Sequence, residues 1–164
     1  MAQQASSPDG TVNRQRAIGM ARMCASSNLR RVERQVTDHY NEFLRPTGVT
    51  ALQLPILAAI SAGMGESIGV LAESLGLERS TLSRDLRVLE KKKLLEAVFG
   101  EDRRTRALRL TRKGARTLDE AHAAWQRAHA QLLTASANLE DLVRHLRRFE
   151  RSISQNQESR IDRA

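Results

Sequence analysis

The stretch from Ile68 to Leu94 restricts the fold more than any other part of the chain. Ile68, Val70, Leu71 and Ala72 make a short apolar run that stops at Gly76, and Leu82, Leu86 and Leu89 follow at steps of three and four. Residues so spaced share one face of an α-helix, because each successive residue turns by about 100°. Ala72 is small enough for a close helix crossing, and Gly76 can take the positive φ of a tight turn, after which Leu77 tucks inward. Two short helices joined this way form a helix-turn-helix. On the second one, Ser80, Arg84, Arg87 and Lys91 fall opposite the leucines, so one face suits a core and the other is basic.

The location of the charge favours a polyanion on that basic face. The 164-residue chain has a formal charge of +8, and the segment from Glu78 to Arg116, with 13 Lys/Arg against 6 Asp/Glu, carries +7. Such a local excess beside an exposed helix face is an electrostatic footprint. In a DNA major groove, arginine bonds a guanine edge bidentately, and small hydroxyl side chains reach phosphates or thymine methyls. Ser80, Thr81 and Arg84, near the helix start, are the expected base readers. Arg87 and Lys91 are the expected phosphate contacts, and Arg79 lies at the edge. For this helix alone, an ordinary solvated face is the alternative. Two short strands are expected at about 95–99 and 106–110, where Leu108 and Leu110 alternate with Arg109. The tip between them, GEDRRT, presents Arg103, Arg104 and Arg106, and an arginine on a narrow tip fits a minor groove. Asp102 would repel phosphate, so its expected part is an ion pair that orients Arg103 or Arg104.

Glycine, proline and aromatic residues are scarce elsewhere, and the expected class is mostly α with a small β wing. Residues 1–14 are polar and without period, which reads as a disordered arm. A long helix from about Arg16 to Leu44 carries Leu29, Val32, Val36, Tyr40 and Phe43 on one stripe and occupies an N-terminal segment, 15–48. Thr50-Ala51-Leu52-Gln53 reads as a capping box, in which the Thr hydroxyl and the Gln side chain both satisfy free amides at a helix start. It opens a winged helix-turn-helix segment, 49–112. Thr111 can cap the next helix, striped by Leu118, Ala121, Trp125, Ala128 and Leu132. Asn138 can cap a last one bearing Leu139, Leu142, Val143, Leu146, Phe149 and Ile153, the two together spanning 113–155, with a flexible tail at 156–164. An apolar stripe at the end of so small a chain needs cover, either a second copy or its own subunit's core. No apolar run approaches the roughly 20 residues that cross a bilayer, and the N-terminus lacks the apolar region of a secretory signal. With a single cysteine, Cys24, these features point to the reducing cytoplasm.

The run IGVLAESLGLERSTLSRDLRVLEKKKLLEAVFGEDRRTRALRLTRKG, residues 68–114, resembles the MarR family of bacterial transcription regulators. The Asp-x-Arg of the wing, here Asp102 and Arg104, and the LTRKG that opens the following helix stand in the family's order and spacing. The resemblance implies an obligate homodimer whose first and last helices interlock, with two winged lobes on a pseudo-palindromic operator. It implies a repressor that leaves DNA when a small aromatic ligand binds or a cysteine is oxidised. It also implies that Ser80, Thr81, Arg84 and Arg87 read the major groove and that Arg104, supported by Asp102, enters the minor groove. Two positions depart from the pattern. Glu78 stands where Asp is common as a helix cap, and Lys93 replaces a frequent glycine before the wing.

Cys24 and Tyr40 lie 16 residues apart on the first helix, an arrangement similar to that of the peroxide-sensing branch of the same family. Flanked by Met20, Ala21, Met23 and Ala25, Cys24 also suits a small packed hydrophobe, since a thiol in apolar surroundings reacts poorly. Tyr40, Phe43, Leu52, Leu57 and Trp125 would line the cleft in which the family binds an aromatic effector, and they would serve equally well as core. His122 and His129 share a face with Trp125, and Asp119 is one turn away. With no third and fourth donor in view, they read as polar positions on a bundle helix, and no metal site or cofactor is expected. Gly63-x-Gly65 is no phosphate loop, and no catalytic motif appears, so an enzyme is not expected. The competing function is a basic protein that coats nucleic acid without a preferred site. RNA modules display aromatic stacking platforms, and five aromatic residues in the whole chain favour duplex DNA instead.

Overall fold

A computed structural model of the chain describes residues 14–99 and 106–161. The elements are α1 (Arg14–Met23), α2 (Ala25–Leu44), a 3-10 turn at Arg45–Thr47, α3 (Gln53–Ser61), a second 3-10 turn at Met64–Glu66, α4 (Ile68–Ser74), α5 (Arg79–Lys91), β1 (Leu95–Phe99), β2 (Arg106–Leu110), α6 (Arg112–Ala135) and α7 (Leu139–Ile161). The expected class, mostly helix with a two-stranded wing, is the observed one, and both strands fall on the expected residues. Residues 1–13 of the expected arm and 162–164 of the expected tail lie outside the described residues. α7 runs on to Ile161, into the stretch read as tail.

The chain divides into two compact units between His39 and Tyr40. In the first unit the expected single helix is interrupted at Cys24. Asn28 provides the reason, because its side-chain amide donates to the carbonyls of both Arg22 and Cys24 at 2.9 Å. Arg22 O is the acceptor that a continuous helix would offer to Ser26 N–H, so the side chain competes with the helical ladder. No residue of α1 is buried, and Met20 and Met23 are exposed.

The second unit holds the core. Ile56, Leu57 and Ile60 of α3, Leu71 of α4, Leu82, Leu86 and Leu89 of α5, and Leu94, Leu95 and Leu108 of the wing region pack into one cluster. α3 buries Ile56, Leu57, Ala59 and Ile60 there, while Pro55 and Ala58, also apolar, are exposed on its other face. A smaller cluster joins Leu44 of α2 to Ala121 and Ala124 of α6, with Tyr40, Phe43 and Ala51 packed against it. Leu54 touches both clusters. Half of the expected capping box is present, with Thr50 Oγ1 accepting from Gln53 N–H at 3.3 Å. The other half is absent, because the Gln53 side chain turns inward and donates to Asp85 Oδ1 of α5 at 3.1 Å.

β1 and β2 pair antiparallel, with Leu95 opposite Leu110 and Ala97 opposite Leu108. Leu108 is buried and Arg109 exposed, the alternation expected of a half-buried strand. The corner from α5 into the wing is tightly built. Leu94 N–H bonds to Leu89 O at 2.9 Å and Lys93 N–H to Glu90 O at 2.8 Å, the paired bonds of a Schellman ending. Lys93 takes the left-handed conformation, φ 58°, that such an ending requires, so the position that departs from the family glycine keeps glycine geometry. The surroundings hold it there: Thr111 Oγ1 donates to Lys93 O at 2.7 Å, and Lys113 Nζ donates to Lys92 O at 2.9 Å. Thr111 Oγ1 also accepts from Gly114 N–H at 2.9 Å and so caps α6 as expected. Gly114 has a separate reason to lack a side chain, since a Cβ there would be driven into the Leu94 carbonyl.

A left-handed lysine costs roughly 1–2 kcal/mol, and glycine returns part of that gain as unfolded-state entropy. Lys93→Gly is therefore expected to raise stability by about 0.5–1 kcal/mol in urea titrations, with the m-value unchanged.

Candidate nucleic-acid interface

α4 begins at Ser67, whose backbone is extended and whose Oγ accepts from Val70 N–H at 3.4 Å. It ends as α5 does: Leu77 N–H bonds to Ala72 O at 2.9 Å, Gly76 N–H bonds to Glu73 O at 3.1 Å, and Gly76 has φ 62°. That turn aims the chain into α5 with Leu77 tucked toward the core. Glu78 occupies the N-cap position of α5 and makes no side-chain capping bond, so the family departure at this residue leaves the helix start uncapped.

Leu82, Leu86 and Leu89 are buried, and Arg79, Ser80, Arg84, Arg87 and Lys91 are exposed. Thr81 is half-buried at the flank. The burial of the leucines thus turns a row of a hydroxyl and three cations outward along a 13-residue helix. Arg79 lies back over the first turn of α4, where the absence of a side chain at Gly69 leaves room for its guanidinium. Of the wing residues, Arg106 opens β2 opposite Phe99, while Asp102, Arg103 and Arg104 lie outside the described residues.

Two of the lysines counted in the basic segment are engaged within the chain. Lys92 Nζ donates to Gly48 O at 2.7 Å, and Lys113 Nζ bonds to the Lys92 carbonyl at the end of α5. Cations at a helix C-terminus are favoured by its partial negative charge. No local pattern marked these contacts, because the partners lie 44 and 21 residues away. The Gln53–Asp85 bond was missed for the same reason, with 32 residues between its ends.

The sensor candidates separate. Cys24 is exposed, against the packed reading of its Met and Ala neighbours. A hydrogen bond with the Ser27 side chain, followed by one with the Ser27 backbone, holds its thiol below the ordinary value, and Arg30 acts in the same direction. Tyr40 and Trp125 do meet, their rings stacked with centroids 6.5 Å apart. Trp125 also stacks on His129 at 4.8 Å and on His122 at 6.0 Å. The Tyr40 hydroxyl lies 2.9 Å from His129 Nδ1. Burial pushes the Tyr40 phenol up. Leu52 and Leu57 do not join this group: Leu57 is wholly buried in the main core and Leu52 is 50% exposed. Of the five residues expected to line a cleft, Tyr40, Phe43 and Trp125 stay together beside the middle of α6. Among the described residues, no group of three or more His, Cys, Asp or Glu could hold a metal ion, and no helix is long and apolar enough to cross a membrane.

Comparison with known proteins agrees with this architecture. A family model described as the MarR family matches residues 47–105. The structure of the M. tuberculosis transcriptional regulator MosR in complex with DNA is 30% identical, with a TM-score of 0.72 over 80% of this chain and 97% of that one. The transcriptional repressor CouR bound to a 23-mer DNA duplex is 25% identical, with a TM-score of 0.68 over 84% of this chain and 96% of that one. The PcaV regulator of Streptomyces coelicolor in complex with its natural ligand is also 25% identical, with a TM-score of 0.65 over 77% and 93% of the two chains. A comparison with curated protein sequences finds no match. With its helix-turn-helix, its wing and the long helices on either side, the chain belongs to the MarR family of winged-helix transcriptional regulators.

Proposed function

We propose that two copies of this chain bind a pseudo-palindromic operator in duplex DNA and repress transcription until a small aromatic ligand or an oxidant releases them. The observation that carries this reading is the outward row Ser80, Arg84, Arg87 and Lys91 on a helix anchored by buried Leu82, Leu86 and Leu89. Ser80, Thr81 and Arg84, near the start of α5, read base edges in the major groove. Arg87 and Lys91, further back, hold phosphates, with Arg79 at the edge. Arg103, Arg104 and Arg106 of the wing reach the minor groove, and Asp102 orients Arg104. The DNA complexes of MosR and CouR support this placement by their likeness in fold.

The homodimer rests on α7. Leu142, Val143, Leu146, Phe149 and Ile153 are all between 39% and 47% exposed, although they form one apolar stripe. Such a stripe does not cap its own subunit's core, and a second copy offers a matching surface. Pairing also supplies two recognition helices, with half-sites about 34–36 Å apart or a multiple of that. Phe149→Glu, which sets a charge in the middle of the stripe, is expected to weaken self-association by about 2 kcal/mol or more. Sedimentation at micromolar concentration should then show single subunits where wild type shows pairs.

A protein that merely coats nucleic acid would hold all duplexes alike, so binding at fixed salt separates the two functions. The regulator should prefer its operator over random duplex by at least ~10³-fold. Arg84→Ala is expected to cost about 1–3 kcal/mol on the operator and to relax one base position, while Lys91→Ala weakens operator and random DNA equally. Equal losses from both substitutions on both DNAs would contradict these assignments.

The oxidant route has a direct chemical check, because the reactive form of Cys24 is its thiolate. With the Ser27 hydrogen bond lowering the thiol pKa, alkylation of wild type should reach half its maximal rate at a lower pH than alkylation of Ser27→Ala. Superimposed pH profiles would show that Ser27 does not tune the thiol.

A further inference from the structure

Gln53 and Thr117 are the buried polar side chains among the described residues, and the DNA-reading account uses neither. Gln53 is 5% exposed at the start of α3, and its Nε2 donates to Asp85 Oδ1 at 3.1 Å, in the middle of the recognition helix. Its Oε1 is buried without a hydrogen-bond partner. An unsatisfied buried oxygen destabilises the fold, so a well-packed apolar residue of similar length would suit stability better. What Gln53 supplies and an apolar residue would not is direction. Leu82, Leu86 and Leu89 hold α5 by apolar burial, which is non-directional and tolerates some roll of the helix about its axis. Asp85 sits beside that stripe and next to Arg84, so a bond at Asp85 sets the roll and with it the angle at which Ser80 and Arg84 leave the surface.

The donor is itself held in place. Gln53 N–H bonds to Thr50 O at 3.0 Å as well as to Thr50 Oγ1, and Ala51 N–H bonds to Asn41 Oδ1 of α2 at 2.8 Å. The start of α3 is thus fixed from both sides before its first side chain reaches α5.

We propose that Gln53 is a positioning residue for base recognition, acting through Asp85 to fix the roll of α5, and that it sets discrimination between DNA sequences rather than fold stability. This rests on the operator-binding reading above. The test uses the full-length chain, a duplex enriched from a random library by the wild-type protein, and an unselected duplex of equal length at the same salt. Gln53→Met should melt at the wild-type temperature or above, while its ratio of selected to unselected affinity falls about tenfold, comparable to one mismatched base pair. Asp85→Ala should lower the ratio likewise, and Asp85→Asn, which keeps an acceptor oxygen, should retain it. A wild-type ratio near one overturns both the operator reading and this inference. A wild-type preference that survives in Gln53→Met, or equal ratios in Asp85→Ala and Asp85→Asn, overturns this inference alone.

Discussion

The burial of Leu82, Leu86 and Leu89 is the interaction on which the rest of the structure depends. Each fully buried leucine contributes about 1.5–3 kcal/mol, and these three belong to the cluster that includes Leu71 of α4, Ile56 and Leu57 of α3, and Leu108 of the wing. They therefore hold α5 to its partners, and the opposite face has no alternative but to point outward. Arginines and lysines there cost little in stability, since they stay in water. The core and the proposed DNA contact use different faces of the same 13 residues.

This division of labour explains how much could be read from the chain alone. Periodicity reports which face of an element is buried, and it placed α4, α5, both strands and the stripe of α6 correctly, while the stripe of α7 stays exposed. It does not report which polar groups meet across the fold. Gln53 has the spacing of a capping residue, yet its side chain reaches Asp85, because a buried amide needs a partner more than an already capped helix start needs a second one. Lys92 and Lys113 counted as free cations until the carbonyls of Gly48 and Lys92 came into view. The break at Cys24 was hidden because Asn28 acts on the backbone, while the apolar stripe beyond it continues without a change of phase.

The candidate sensor residues were legible as types but not as an arrangement. Trp125 shares a face with His122 and His129 by simple spacing, and the rings do stack. That Tyr40 would close on His129 from 89 residues away, while Leu57 went to the core and Leu52 to the surface, depends on how α2, α3 and α6 pack. A stripe restricts such packing without determining it. Cys24 shows the same limit from the other side. Its Met and Ala neighbours suggest burial, but no residue of α1 is buried and Cys24 is exposed.

The absence of a side chain at Gly114 has a mechanical consequence. The first turn of α6 rests directly on the carbonyl of Leu94, and Thr111 is bonded to the backbone on both sides of that corner. Backbone against backbone leaves no pliable rotamer to absorb a displacement, as interdigitated side chains elsewhere can. A tilt of the 24-residue helix about this corner would press on the backbone at the base of the hairpin.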